Sequence, residues 1–101
     1  MEIIAGEIGI MLVQVKIPAS FRKYAGNERI FYLSSGTIGS ILNKMIGTYP
    51  ELEDKFFNVN GKLKQYIRFF LNGRVIDDIG ILETSLSKGD KLTIIIAVIG
   101  G

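Results

Sequence analysis

Gly100-Gly101 follows directly on the apolar run Leu92-Thr93-Ile94-Ile95-Ile96-Ala97-Val98-Ile99. A strand that gives way to two residues without side chains presents an unhindered, flexible carboxylate. Glycine reaches backbone angles closed to other residues, so such an end can thread a narrow active site with no Cβ in the way. The chemistry that suits it is one in which the carboxylate is itself the reactant. At average glycine usage, two terminal glycines arise by chance in roughly 0.5% of chains. With 12 glycines in this chain, chance rises only to the order of 1%.

The other side chains narrow the chemistry further. The chain has no histidine and no cysteine, hence no imidazole base, no thiolate nucleophile and no soft metal site. Hydrolase triads and zinc sites are excluded. Glu51, Glu53 and Asp54 cluster in a polar segment and read as a solvated face. The expectation is a non-catalytic protein that binds no cofactor or metal and whose carboxyl end is worked on by others.

A length of 101 residues fits one domain. Hydrophobic content of 48% with a mean hydropathy of +0.32 describes a well-cored globule. The pI near 9.0 accompanies a net charge of only +2. It reflects the missing histidines, and with no basic cluster of binding size no nucleic-acid partner is expected. No stretch is long and apolar enough to span a bilayer. Met1–Ile10 carries Glu2 and Glu7 and makes a poor signal peptide. A cytoplasmic protein without a membrane partner is expected.

The elements that must position the carboxylate follow from pattern. Val13–Ile17 alternates and reads as a strand. Ala19–Asn27 reads as a loop with Gly26 as its turn residue, and Arg29–Leu33 as the second strand of a hairpin. Thr37 is a plausible N-cap. Behind it Ile38, Ile41, Leu42, Met45, Ile46 and Tyr49 recur at helical spacing as one core-facing stripe, which Pro50 should stop. Leu52–Phe57 reads as a short second helix and Asn58–Gln65 as a loop. Tyr66–Leu71 and Arg74–Asp77 form a hairpin through Asn72-Gly73, a strong short-range turn signal. Ile79–Leu86 is an irregular connection. Lys88-Gly89-Asp90 turns into the last strand, Lys91–Val98, apolar almost throughout and so buried between neighbours. The result is an α+β roll, a mixed four- to five-stranded sheet with one main helix on one face.

That order resembles the ubiquitin-like β-grasp fold, and within it the sulfur-carrier branch represented by the molybdopterin synthase small subunit (MoaD) and the thiamine sulfur carrier (ThiS). The marks are Phe21-Arg22-Lys23-Tyr24-Ala25-Gly26, Gly36-Thr37-Ile38-Gly39, Phe70-Leu71-Asn72-Gly73-Arg74, Gly89-Asp90-Lys91-Leu92 and Val98-Ile99-Gly100-Gly101. Residues 13–101 are expected to form the β-grasp domain with its reactive tail, and 1–12 an N-terminal extension without a family counterpart. The segment between helix and Asn-Gly hairpin is longer than in compact thiamine carriers, which favours molybdopterin-type or archaeal modifier-type relatives. Molybdopterin-synthase small subunits carry prolines where this chain has Ile96-Ala97.

The resemblance implies a mechanism. An ATP-dependent adenylating enzyme, MoeB-like or ubiquitin-activating-like, converts the Gly101 carboxylate to an acyl adenylate. A sulfur donor protein then displaces AMP, leaving a thiocarboxylate that donates sulfur, most naturally to molybdopterin beside a MoaE-like synthase large subunit. ATP is used by the activating partner. Gly101 is the reactant, Gly100 gives clearance and Ala97, Val98 and Ile99 form the stem. Two alternatives stand beside this: a modifier joined to lysines through Gly101, and a non-reactive interaction module.

Packing and docking expectations follow from alternation. The helix stripe should pack on Val13, Val15, Ile17, Phe69, Leu71, Leu92, Ile94 and Ile96. The opposite sheet face then carries Gln14, Lys16, Arg68, Phe70, Thr93, Ile95 and Ala97. Phe70 and Ile95 are expected to be exposed there, with Pro18 and Val75 at the rim, as a partner-docking surface. By resemblance, Phe70 falls where ubiquitin has its hydrophobic recognition patch.

Overall fold

The computed structural model describes residues 11–97. Their backbone forms one five-stranded mixed sheet in the order β2-β1-β5-β3-β4, with β1 Val13–Lys16, β2 Ile30–Leu33, β3 Ile67–Leu71, β4 Arg74–Ile76 and β5 Lys91–Ile96. Strand β5 lies at the centre, parallel to β1 and antiparallel to β3. This double neighbour explains its nearly unbroken apolar sequence. Helix α1, Ile38–Thr48, packs on one face, and a short α2, Glu53–Phe56, follows it.

Helix α1 starts where the N-cap signal places it. The Thr37 hydroxyl accepts from the Ser40 amide at 3.1 Å, satisfying one of the orphan donors of the first turn. Ile38, Ile41, Leu42 and Met45 are buried, and Ile46 and Tyr49 pack half-buried against the same core. The helix ends at Thr48, and Pro50 opens a single 3-10 turn, Pro50–Leu52. Facing the stripe are Val13, Val15, Ile17, Ile67, Phe69, Leu92 and Ile94, all buried.

Two expectations need correction. Ile96, expected inward, is 37% exposed. The β1–β5 pairing runs only to Lys16↔Thr93, after which Pro18 leads β1 away, so among the described residues Ile96 keeps β3 alone as a strand neighbour. Leu71, at the hairpin end of β3, is half-buried and packs against the same core, as expected. The segment read as a loop over 19–27 contains a 3-10 helix, Ala19–Tyr24.

That 3-10 helix carries core residues that periodicity does not find. Its Phe21 meets Phe56 of α2 edge-on, ring centroids 5.7 Å apart, and Ala25, Leu52 and Leu86 complete the buried cluster. The core is thus closed by connecting segments as much as by the helix stripe. Leu42 has no exposed surface. Its truncation to Ala should cost about 2–5 kcal/mol in urea unfolding, and a loss below about 1 kcal/mol would contradict its central packing.

The start of α1 is also stitched to the connection before β5. Ile38 donates its amide to the Thr84 carbonyl at 3.0 Å, and Leu86 donates to the Gly36 carbonyl at 2.8 Å. A Cβ on Gly39 would lie 3.0 Å from the Leu82 carbonyl oxygen, whereas one on Gly47 would meet nothing within 4 Å. Two alanine substitutions in one helix should therefore have opposite signs. Gly47→Ala should stabilise by about 0.5–1 kcal/mol through helix propensity. Gly39→Ala must displace backbone and should destabilise by about 1–3 kcal/mol. Thermal unfolding of the two variants checks both signs.

Candidate functional site

The expected site has two parts, the reactive tail and the sheet face that would present it. Val98, Ile99, Gly100 and Gly101 lie outside the described residues. Up to Ala97 the stem is fixed by β5. The Ala97 amide donates to the Tyr66 carbonyl at 2.7 Å, which among the described residues is the last backbone bond of the sheet. Ala97 itself is half-buried.

The start of β5 is anchored just as firmly. Asn72 has φ 51° and Gly73 φ 86°, the left-handed pair that a two-residue hairpin turn requires. Asn72 also does a second job that its turn role does not reveal. Its side-chain oxygen accepts from the Lys91 amide at 2.9 Å. Its Nδ2 donates to the Asp90 carboxylate at 3.0 Å, whose other oxygen accepts from the Ser87 amide at 2.7 Å. The hairpin and the turn before β5 are thereby tied together, fixing where the central strand begins.

The outward face follows from register, because paired residues share a face. Ile30, Lys16, Thr93, Phe70 and Val75 form one row across all five strands. Tyr32, Gln14 and Lys91 lie beside it, and Ile95 pairs with Arg68 on the tail side. Phe70, Ile95, Arg68 and Val75 are therefore brought together as expected. Their exposure differs from expectation: Val75 is 58% exposed, but Phe70 and Ile95 are half-buried among their neighbours. Pro18 lies two residues beyond Lys16 and opens the 3-10 helix, its carbonyl accepting from the Phe21 amide.

Ile30, Tyr32 and Lys91 are the members that sequence reasoning missed. Pairing the first hairpin against Gln14 and Lys16 would have found the first two, and carrying the alternation of β5 back from Thr93 the third. Among these outward residues none is acidic, and Lys16 and Lys91 are cationic, while the Arg68 guanidinium is turned to the backbone carbonyls of Gln65 and Ile67, so the face suits a partner with an acidic rim. Away from it, Lys55 and Lys23 hold their ammonium groups 4.1 Å and 5.2 Å from the Tyr24 ring centroid. Hydrogen bonding to Lys55 first, then to Lys23, lowers the Tyr24 hydroxyl below its ordinary pKa. Among the described residues no helix is long and apolar enough to cross a membrane.

The family model described as the ThiS family matches residues 15–101, from within β1 through the diglycine. The chain belongs to the ThiS family. It is thus a ubiquitin-like protein of the sulfur-carrier type. It is 28% identical over 93 residues to the sulfur carrier protein CysO of Mycobacterium tuberculosis, covering 90% of this chain and 100% of that protein. The small archaeal modifier protein 3 of Haloferax volcanii is 25% identical over the same shares of each chain. Solved structures agree with the β-grasp architecture. A chain of the Amycolatopsis orientalis BexX/CysO complex superposes with a TM-score of 0.76 at 28% identity, covering 88% of this chain and 99% of that one.

Proposed function

We propose that the Gly101 carboxylate is activated as an acyl adenylate and converted to a thiocarboxylate that delivers sulfur. The observation carrying this reading is a family match that continues past β5 through Gly101. The carboxylate oxygen attacks the α-phosphorus of ATP in the activating enzyme and pyrophosphate leaves. Sulfide then adds to the acyl carbon and AMP leaves, so the new C–S bond replaces the acyl–phosphate C–O bond and the product is the thiocarboxylate. A thioacid is a stronger acid than a thiol, so at neutral pH the product is already a nucleophilic anion. The chain supplies position rather than catalysis. Its central strand aims the stem, and its missing Cys and His leave no competing sulfur acceptor or base.

For the sulfur acceptor, the relatives above are named as a sulfur carrier and as a protein modifier. They support a carrier whose acceptor is set by the partner enzyme. Molybdopterin, with a MoaE-like large subunit, is the acceptor proposed from the sequence resemblance. The small archaeal modifier likeness favours one second reading, in which a lysine amine captures the same adenylate as an isopeptide.

Incubating the full chain with a MoeB-type activating enzyme, ATP and sulfide tests the carrier reading by intact mass. The expected product is heavier by the difference between sulfur and oxygen. Neither pyrophosphate release nor a mass change would overturn both readings. Adenylate that transfers to lysine but never to sulfide would leave only the modifier.

A further inference from the structure

We infer that Arg68 is a positioning residue for the tail, closing the free edge of β3 beneath the stem. The need for it follows from where the sheet stops. β4 pairs with β3 only from Phe69↔Ile76 onward, and β1 pairs with β5 only as far as Thr93. Ile95 and Ile96 rest on Arg68 and Ile67 of β3, and among the described residues that stretch of β3 has no strand on its other side. A cavity of about 150 Å³ opens there, lined by Ile67, Arg68, Phe69, Ile76, Asp77 and Asp78 among others.

Strand alternation decides which groups face the gap. The Tyr66 carbonyl points to β5, where it accepts from Ala97, so the Gln65 and Ile67 carbonyls point the other way. The Ile67 amide on that side is satisfied by the Lys64 carbonyl at 3.1 Å. Both carbonyls are satisfied by one side chain: Arg68 Nη1 donates to the Gln65 oxygen and, at 3.0 Å, to the Ile67 oxygen. The guanidinium thus takes the place of the missing strand. Edge backbone without such partners frays, and fraying of Gln65–Ile67 would release the Tyr66–Ala97 bond that holds the stem.

The inference rests on the proposed adenylation for its consequence but not for its first test. In hydrogen exchange on the full chain, Arg68→Ala should speed exchange of the Ala97 amide about tenfold, the scale of losing a charge-assisted bond. The Asn72 amide, bonded to the Lys91 carbonyl at the other end of β5, should be unchanged and reports that the fold persists. With the activating enzyme, kcat for adenylate formation should fall about tenfold, as for a misplaced reactant, while KM is unmoved. Unchanged Ala97 exchange overturns the inference. A raised KM with kcat unchanged does so too, because it makes Arg68 a docking contact. If the wild-type chain is not adenylated at all, the proposed function fails and the exchange measurement still decides the edge closure.

Discussion

Removal of Gly101 will abolish formation of the acyl adenylate and leave the unfolding transition where it was. Among the described residues the last backbone bond of the sheet is made at Ala97, and residues 98 to 101 can reach at most about 14 Å beyond it. Deleting one residue withdraws the carboxylate by about 3.3–3.6 Å. Reacting atoms must approach to about 3–3.5 Å, and an error of about 1 Å can already cost about a hundredfold in rate. A carrier docked through the proposed sheet face could not recover that distance by sliding, because its register on the partner would be fixed. Gly100→Val should have the same effect for a different reason, adding a β-branched side chain where clearance is needed. Stability should be unaffected, since neither glycine has a side chain to pack. ATP–pyrophosphate exchange with the truncated chain, beside its urea unfolding curve, makes the check. Adenylate formed on the shortened tail would show that the carboxylate of Gly101 is not the reactant.

The parts of this molecule that could be read from sequence are those in which one local pattern has one outcome. Thr37 before a 3.6-residue apolar stripe gives a capped helix, and Asn72-Gly73 between two apolar runs gives a hairpin. Apolar continuity in β5 gives a central strand. What escaped depends on how far neighbouring elements extend. Ile96 has the parity of a core residue, but β1 turns away at Pro18 before it can cover that position. Phe21 and Phe56 sit in segments too short for periodicity to register, and only their packing on each other makes them core. Tyr32 and Ile30 became legible as part of the outer face only once the register of the first hairpin was known. Asn72 announces its turn plainly, whereas its hold on Asp90 and Lys91 joins segments far apart in sequence. The Arg68 contacts are local but depend on β4 ending early, which no pattern near Arg68 encodes.

Phe70→Asp should weaken binding to the activating enzyme by at least about 2 kcal/mol, roughly thirtyfold in Kd. Phe70 stands in the middle of the row from Ile30 to Val75, with Val75 and Thr93 as its direct cross-strand neighbours. It faces away from α1, so a carboxylate there meets solvent in the free protein and the core keeps its packing. At a closed interface the same carboxylate would be desolvated against an apolar partner surface, which is costly without a paired cation. Its charge is also the wrong sign for a partner selected by Lys16 and Lys91, whose attraction should fade with added salt. Isolated exposed apolar residues are ordinary on protein surfaces, so the comparison must be with another of them. Val59, 110% exposed and in the 58–65 connection, serves: Val59→Asp adds the same charge outside the face and should leave Kd unchanged. Titration of wild-type, Phe70→Asp and Val59→Asp chains against the enzyme distinguishes the cases. Equal losses in both variants would mean a general charge effect, and no loss in a folded Phe70→Asp chain would place the docking surface on another part of the molecule.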